Sequence, residues 1–173
     1  MKRMLVVYYS RTGHVRKVAE AIAGACAADL EPIREERSRS GLFGWIRSVR
    51  EVRRGICPAL LPPEHDVSVY ELVVLGCPVW ASRVASPMRS FLANQAGRLP
   101  EIALFCTMGG RGGDQVLGEL ASLCGKAPLA TMAVRDAEIG GDLAAKVAGF
   151  IEALALARNA GAATVAPPLT AST

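Results

Sequence analysis

The stretch Met4-Leu-Val-Val-Tyr-Tyr-Ser-Arg-Thr-Gly-His-Val-Arg-Lys-Val-Ala-Glu-Ala-Ile-Ala23 decides the fold. An apolar run, Leu5–Tyr9, breaks at a hydroxyl-rich turn and resumes with apolar residues at helical spacing, which reads as strand, loop, helix. Ser10, Thr12 and the backbone N–H groups around Gly13 fall at the helix N-terminus. Unpaired donors and the positive end of the helix dipole favour a phosphate there. The loop has neither the G-x-G-x-x-G of a dinucleotide fold nor the G-x-x-x-x-G-K-[ST] of a nucleoside triphosphate site, so it suits a single terminal phosphate. Capping of the helix by Ser10 and Thr12 is the plainer reading of the same residues.

The same grammar repeats downstream. A helix about Val15–Ala28 leads to a short strand about Leu30–Arg34, and the run Tyr70–Gly76 follows later. Then come a helix about Ser86–Ala96, a strand about Ile102–Thr107, a helix about Asp114–Cys124, a strand about Leu129–Val134 and a helix about Gly141–Leu156. Strands that are nearly continuous hydrophobes, such as Leu72-Val-Val-Leu75, suit a parallel sheet buried on both faces, with right-handed crossovers placing helices on each side. The expectation is an α/β three-layer sandwich around a five-stranded parallel sheet. Residues 1–158 are expected to form one domain, with a long connection over 35–69 that could hold an amphipathic helix about Phe43–Arg54, and with 159–173 as a flexible tail.

Bulk properties agree with a globular protein. The chain has 173 residues, of which 51% are hydrophobic, and a mean hydropathy of +0.27. No apolar run reaches the roughly 18 residues that a membrane-spanning helix needs, so no transmembrane segment and a cytoplasmic location are expected. Five cysteines (Cys26, Cys57, Cys77, Cys106, Cys124) are scattered without a C-x-x-C pair and with two histidines to help. That supports neither a metal site nor a disulfide framework. The net charge is +4, and arginines cluster between Arg34 and Arg54; a solvated face is the expectation, and no nucleic-acid motif accompanies the charge.

In open α/β sheets, ligands bind beyond the carboxyl ends of the strands. Three loops leave such ends with unusual composition: Ser10–Val15, Cys77–Ala85 and Thr107–Asp114. In the second, Trp80 either plugs the core edge or stacks on a planar ligand. The third, Thr107-Met-Gly-Gly-Arg-Gly-Gly-Asp114, is rich in glycine, which lets backbone approach a ligand closely.

Together these loops resemble the flavodoxin family over Met4 to about Phe150. Ser10-Arg-Thr-Gly-His-Val15 is similar to that family's phosphate loop, and Gly76-Cys-Pro-Val-Trp80 with Pro87-Met-Arg-Ser-Phe91 resembles the loop and helix beside its flavin ring. The resemblance implies strand order 2-1-3-4-5 and non-covalent FMN. It places Ser10, Arg11, Thr12, Gly13, His14 and Val15 on the phosphate, and Pro78, Val79, Trp80 and Ala81 along the isoalloxazine. Thr107, Met108, Gly109 and Gly110 close the other side. His14 stands where the family usually has asparagine and Val15 where it usually has threonine, so a protonated His14 would have to supply charge in place of a hydroxyl.

The implied chemistry is electron transfer, or reduction of a quinone-type acceptor with NAD(P)H; the residues leave carrier and oxidoreductase open, and no catalytic side chain is named. The electron source would be NAD(P)H or a redox partner protein, and a homodimer is open as well. Two rival readings remain. Cys77-Pro-Val-Trp-Ala-Ser-Arg83 has the Cys-x5-Arg spacing of a phosphatase with a thiolate nucleophile, and the scaffold could be a binding module without enzymatic activity.

Overall fold

The structure, a computed structural model, describes residues 3–36 and 58–164. The expected helix Phe43–Arg54, Cys57, most of the arginine cluster and residues 165–173 lie outside them. The strands are β1 (Met4–Tyr8), β2 (Asp29–Pro32), β3 (Leu72–Trp80), β4 (Arg83–Val84), β5 (Glu101–Met108) and β6 (Thr131–Arg135). The helices are α1 (His14–Cys26), α2 (Ser86–Gln95), α3 (Gly113–Cys124) and α4 (Leu143–Thr164).

Five parallel strands run in the order β2-β1-β3-β5-β6, with the two-residue β4 antiparallel to the end of β3. The expected order is borne out, and β4 is an addition. Register aligns Met4–Tyr8 with Leu72–Gly76, and Leu72–Pro78 with Glu101–Thr107, so the carboxyl ends of the central strands emerge side by side.

Each strand feeds two cores because consecutive side chains point to opposite faces. Leu5, Val7 and Tyr9 join α2 and α3 through Met88, Phe91, Val116 and Leu120. Val6 and Tyr8 join α1 and α4 through Val18, Ile22, Phe150 and Leu154. In α1 the buried residues Val15, Val18, Ala19, Ile22 and Ala23 follow the i, i+3, i+4, i+7, i+8 rule for one apolar face. Complete burial of the larger of these side chains contributes about 1.5–3 kcal/mol each, whereas exposed pairs such as Arg98–Asp66 are screened by solvent and add little. Apolar packing therefore fixes the frame on which the loops sit.

Most boundaries shift by one or two residues, and three of the differences bear on the site or the domain's end. β3 runs on to Trp80, because β5 gives it a partner as far as Pro78↔Thr107 and β4 folds back on Val79 and Trp80. Pro78 is tolerated there since pairing with β1 has ended at Gly76. β6 starts at Thr131, two residues later than expected, and α4 runs to Thr164, so part of the expected tail is helix. Alanine-rich sequence continues a helix readily once α4 has begun.

Candidate functional site

The three loops and the turn after β6 meet at the carboxyl edge in a closed circuit of contacts. Tyr9 packs edge-to-face on Trp80, with ring centroids 5.5 Å apart. Beyond Trp80, Ala81 and Ser82 make the two-residue turn into β4, with φ of 49° and 58°. Two successive left-handed residues are what a tight hairpin demands, and without glycine or asparagine each costs about 1–2 kcal/mol. Ser82 then abuts Gly112, where a Cβ would lie 3.0 Å from the Ser82 Oγ. The same loop brings Gly109 against Asp136, whose Oδ2 would be 3.7 Å from a Cβ at that glycine. Asp136 closes the circuit, its Oδ1 lying 3.0 Å from His14 Nδ1.

The first loop is organised by Ser10. Its Oγ accepts the Gly13 N–H at 3.1 Å and the Arg16 N–H at 3.2 Å, so this hydroxyl caps α1 from three residues before its first turn. Capping was the plainer reading for Ser10 and Thr12; Ser10 performs it, and its own O–H remains a donor. Thr12 is exposed and its side chain makes no hydrogen bond among the described residues. Gly13 has φ 93°, a left-handed conformation that turns the chain into the helix, where the His14 and Val15 amides precede the first helical hydrogen bond. Arg11 is exposed, His14 is 40% exposed, and Val15 is buried in the core, leaving its backbone N–H as its one contribution to the loop.

The second loop is a hairpin locked from beneath. Glu119 of α3 accepts the Val84 N–H at 3.0 Å and pairs with Arg89 of α2. Pro78, Val79 and Trp80 are half-buried and Ala81 is exposed. In the third loop Thr107 is buried, Met108 half-buried, and Gly109 and Gly110 exposed. Tyr9 ties the circuit to the β2 end by donating its hydroxyl to Glu35 Oε1 at 2.9 Å. Sequence reasoning missed Asp136, Glu119 and Glu35. Each acts across 26 or more residues, and no local spacing announces such a contact.

The phosphatase reading is overturned. Cys77 lies inside β3 with no exposed surface, and burial pushes its thiol up to about 12. A nucleophilic cysteine needs an accessible, electropositive setting. Arg83 sits on β4 across from Trp80, not in a loop wrapped around the sulfur. Iodoacetamide at pH 8 is expected to leave Cys77 unmodified in the folded protein while alkylating it fully after denaturation, as peptide mass spectrometry would record.

A planar ligand with a terminal phosphate suits these donors. First-turn amides, the Ser10 and Thr12 hydroxyls and the exposed Arg11 are neutral or positive. Ideal Cβ atoms on Gly13 and Gly110 would meet nothing within 4 Å, so the space beside both glycines is open. A separate cleft lies between β2, residues 60–63 and α2, but its buried carboxylate, Glu31, is taken by the Glu64 and His65 N–H groups and by His65 Nδ1. Among the described residues no group of His, Cys, Asp and Glu could hold a metal ion, and no helix is long and apolar enough to cross a membrane.

Comparison with known proteins agrees with this geometry. A family model described as Flavodoxin matches residues 3–140. The chain belongs to the flavodoxin family. Among proteins similar to it is an NAD(P)H dehydrogenase (quinone) of Cupriavidus metallidurans, 30% identical over 99 residues that make up 57% of this chain and 49% of that one. A protein of the same description from Paraburkholderia phymatum is 31% identical over 106 residues, 56% of this chain and 48% of that one. The chain thus spans about half the length of these curated relatives. In structure, the flavoprotein of Lactobacillus acidophilus in complex with FMN superposes with a TM-score of 0.68 at 21% identity, covering 81% of this chain and 97% of that one. The two-electron reduced flavodoxin of Megasphaera elsdenii gives 0.56 at 21% identity, covering 88% and 98%. Both show the fold this flavodoxin shares.

Proposed function

We propose that this flavodoxin binds FMN at the carboxyl edge and uses NAD(P)H to reduce a quinone-type acceptor. The observation that carries the reading is the closed circuit of Tyr9, Trp80, Ser82, Gly112, Gly109, Asp136 and His14 around a phosphate-type loop. Ser10, Arg11, Thr12, Gly13, His14 and Val15 hold the phosphate. Pro78, Val79, Trp80 and Ala81 line one side of the ring, and Thr107, Met108, Gly109 and Gly110 the other. FMN supplies the hydride and single-electron chemistry when bound. The chain's own residues grip, orient and exclude water: Trp80 gives an aromatic wall braced by Tyr9, and the glycines let backbone come close. The described residues of 1–158, with the continuation of α4 to Thr164, carry this function as one domain.

The relatives' description as NAD(P)H dehydrogenases (quinone) supports the donor and acceptor classes. The test is direct. Purified chain supplied with FMN and NAD(P)H should reduce menadione, one hydride and one proton adding per quinone while the nicotinamide is oxidised. Retained yellow colour without turnover would make it a carrier fed by a partner protein.

Trp80→Ala should weaken both FMN and riboflavin about tenfold, the scale of about 1.5 kcal/mol for a good aromatic contact, and should relieve quenching of flavin fluorescence. Unchanged affinity and fluorescence would reduce Trp80 to a prop for Tyr9.

A further inference from the structure

The phosphate loop departs from the family pattern at two adjacent positions, His14 and Val15, and the structure shows how they differ in consequence. Val15 is 2% exposed and packs with Val18 and Ile22, so its side chain is lost to the site. His14 is the first residue of α1 and keeps its ring at the surface, with Nδ1 on Asp136. Asp136 opens the turn after β6, and its other oxygen faces Gly109.

A lone carboxylate here would oppose an anion. Two like charges at close range and partial screening repel strongly enough to offset helix-terminus donors. Among the described residues, Asp136 has no ion-pair partner besides His14. Arg11, Arg16 and Lys17 are exposed on the loop and first turn, and Arg135 is exposed at the end of β6. Glu138 is engaged by Lys146 at 3.0 Å and by the Arg135 N–H at 2.7 Å. Asp136 is committed to His14.

We propose that Asp136 is a positioning residue that holds His14 as a charged donor to the FMN phosphate. Nδ1–H is given to Asp136, and Nε2 takes a proton from solvent as the phosphate arrives and donates it in a hydrogen bond. The neutral ring would present a lone pair from Nε2, which repels a phosphate oxygen; the protonated ring presents N–H on both sides. This rests on the FMN reading above.

Phosphate binding is then linked to proton uptake. Histidine changes charge between about pH 5 and 8, while the phosphate monoester takes its own proton near about pH 6. His14→Asn, which offers a neutral amide to the same phosphate, removes the first effect and retains the second. Riboflavin, which has no phosphate, removes both.

The experiment measures dissociation constants by flavin fluorescence from pH 5.5 to 8.5 for FMN and riboflavin. It uses the wild type, His14→Asn, Asp136→Asn and the double variant, each checked for folding by circular dichroism, with His14→Gln in reserve as the same neutral amide. From low to high pH the wild type should lose about fivefold or more FMN affinity beyond the loss of His14→Asn. Riboflavin affinity should stay flat. Asp136→Asn should shrink that extra loss to about twofold or less, and in the His14→Asn background it should leave the shape of the pH profile unchanged. Parallel profiles in all four proteins, or an extra loss that persists undiminished in Asp136→Asn, would make Asp136 purely structural and overturn the proposal. Wild type that binds no FMN at any pH overturns the FMN reading instead.

Discussion

Thr12→Glu should cut FMN affinity roughly a thousandfold and leave the protein folded. Thr12 is exposed, lies one residue before the left-handed Gly13, and its side chain holds nothing else together among the described residues. The substitution therefore acts on the ligand and hardly on the frame, since surface changes away from caps and cores usually stay within about 0.5 kcal/mol. A carboxylate placed against a phosphate meets at least one unit charge of the same sign, worth about 4 kcal/mol at a partly screened separation of about 4 Å. At about 1.4 kcal/mol per decade the affinity falls roughly a thousandfold. Thr12→Gln has similar bulk without the charge and should lose far less. Riboflavin affinity should be nearly the same in both variants. Fluorescence titration gives all four numbers, and equal losses for FMN and riboflavin in Thr12→Glu would move the phosphate away from this loop.

How much of this was legible in the sequence depends on the range of the interaction. The strand–loop–helix unit around Ser10–Val15 could be read because its signals are local: an apolar run, a glycine, then apolar residues at helical spacing. Strand order followed through the resemblance, and the sheet bears it out. Trp80 was visible as an odd residue after a buried strand, but its partner was not. Tyr9 lies 71 positions earlier and reaches it because β1 and β3 are neighbours, as the register Tyr8↔Gly76 requires. The expected loop Cys77–Ala85 proved to be strand and hairpin, since Ala81-Ser82 lacks the asparagine or glycine that ordinarily announces such a turn. A reactive Cys77 was one rival reading, already opposed in the sequence by Pro78, by the bulk of Val79 and Trp80 and by Val84 in place of a hydroxyl. Its spacing to Arg83 was real, but the strand that continues through Cys77 buries the sulfur. Nothing local marked Asp136, and its meeting with His14 depends on the turn after β6 packing against α1.

Gly76→Ala should destabilise the protein by about 3 kcal/mol, the upper end of what one added methyl costs in a filled core. The reason is contact, not backbone conformation, for Gly76 sits in β3 without a positive φ. A Cβ there would lie 2.0 Å from Phe105 Cζ and 2.2 and 2.6 Å from two further ring atoms. Neither side can yield easily. Gly76 is paired with Tyr8 on one side and Phe105 on the other, and its carbonyl accepts the Tyr9 N–H at 3.0 Å. The Phe105 ring has no exposed surface and belongs to the core between the sheet and α1. A shift of β3 would also carry Cys77–Trp80 with it, so flavin affinity should fall along with stability. Urea unfolding should show a lower midpoint with an unchanged slope, which separates lost stability from a changed unfolded state. Phe105→Leu supplies the control: alone it costs about 1 kcal/mol through a small cavity, but combined with Gly76→Ala it should recover part of the loss, because the missing ring edge is where the new methyl goes. Additive losses in the double variant would mean that Gly76 is required for some reason other than the ring of Phe105.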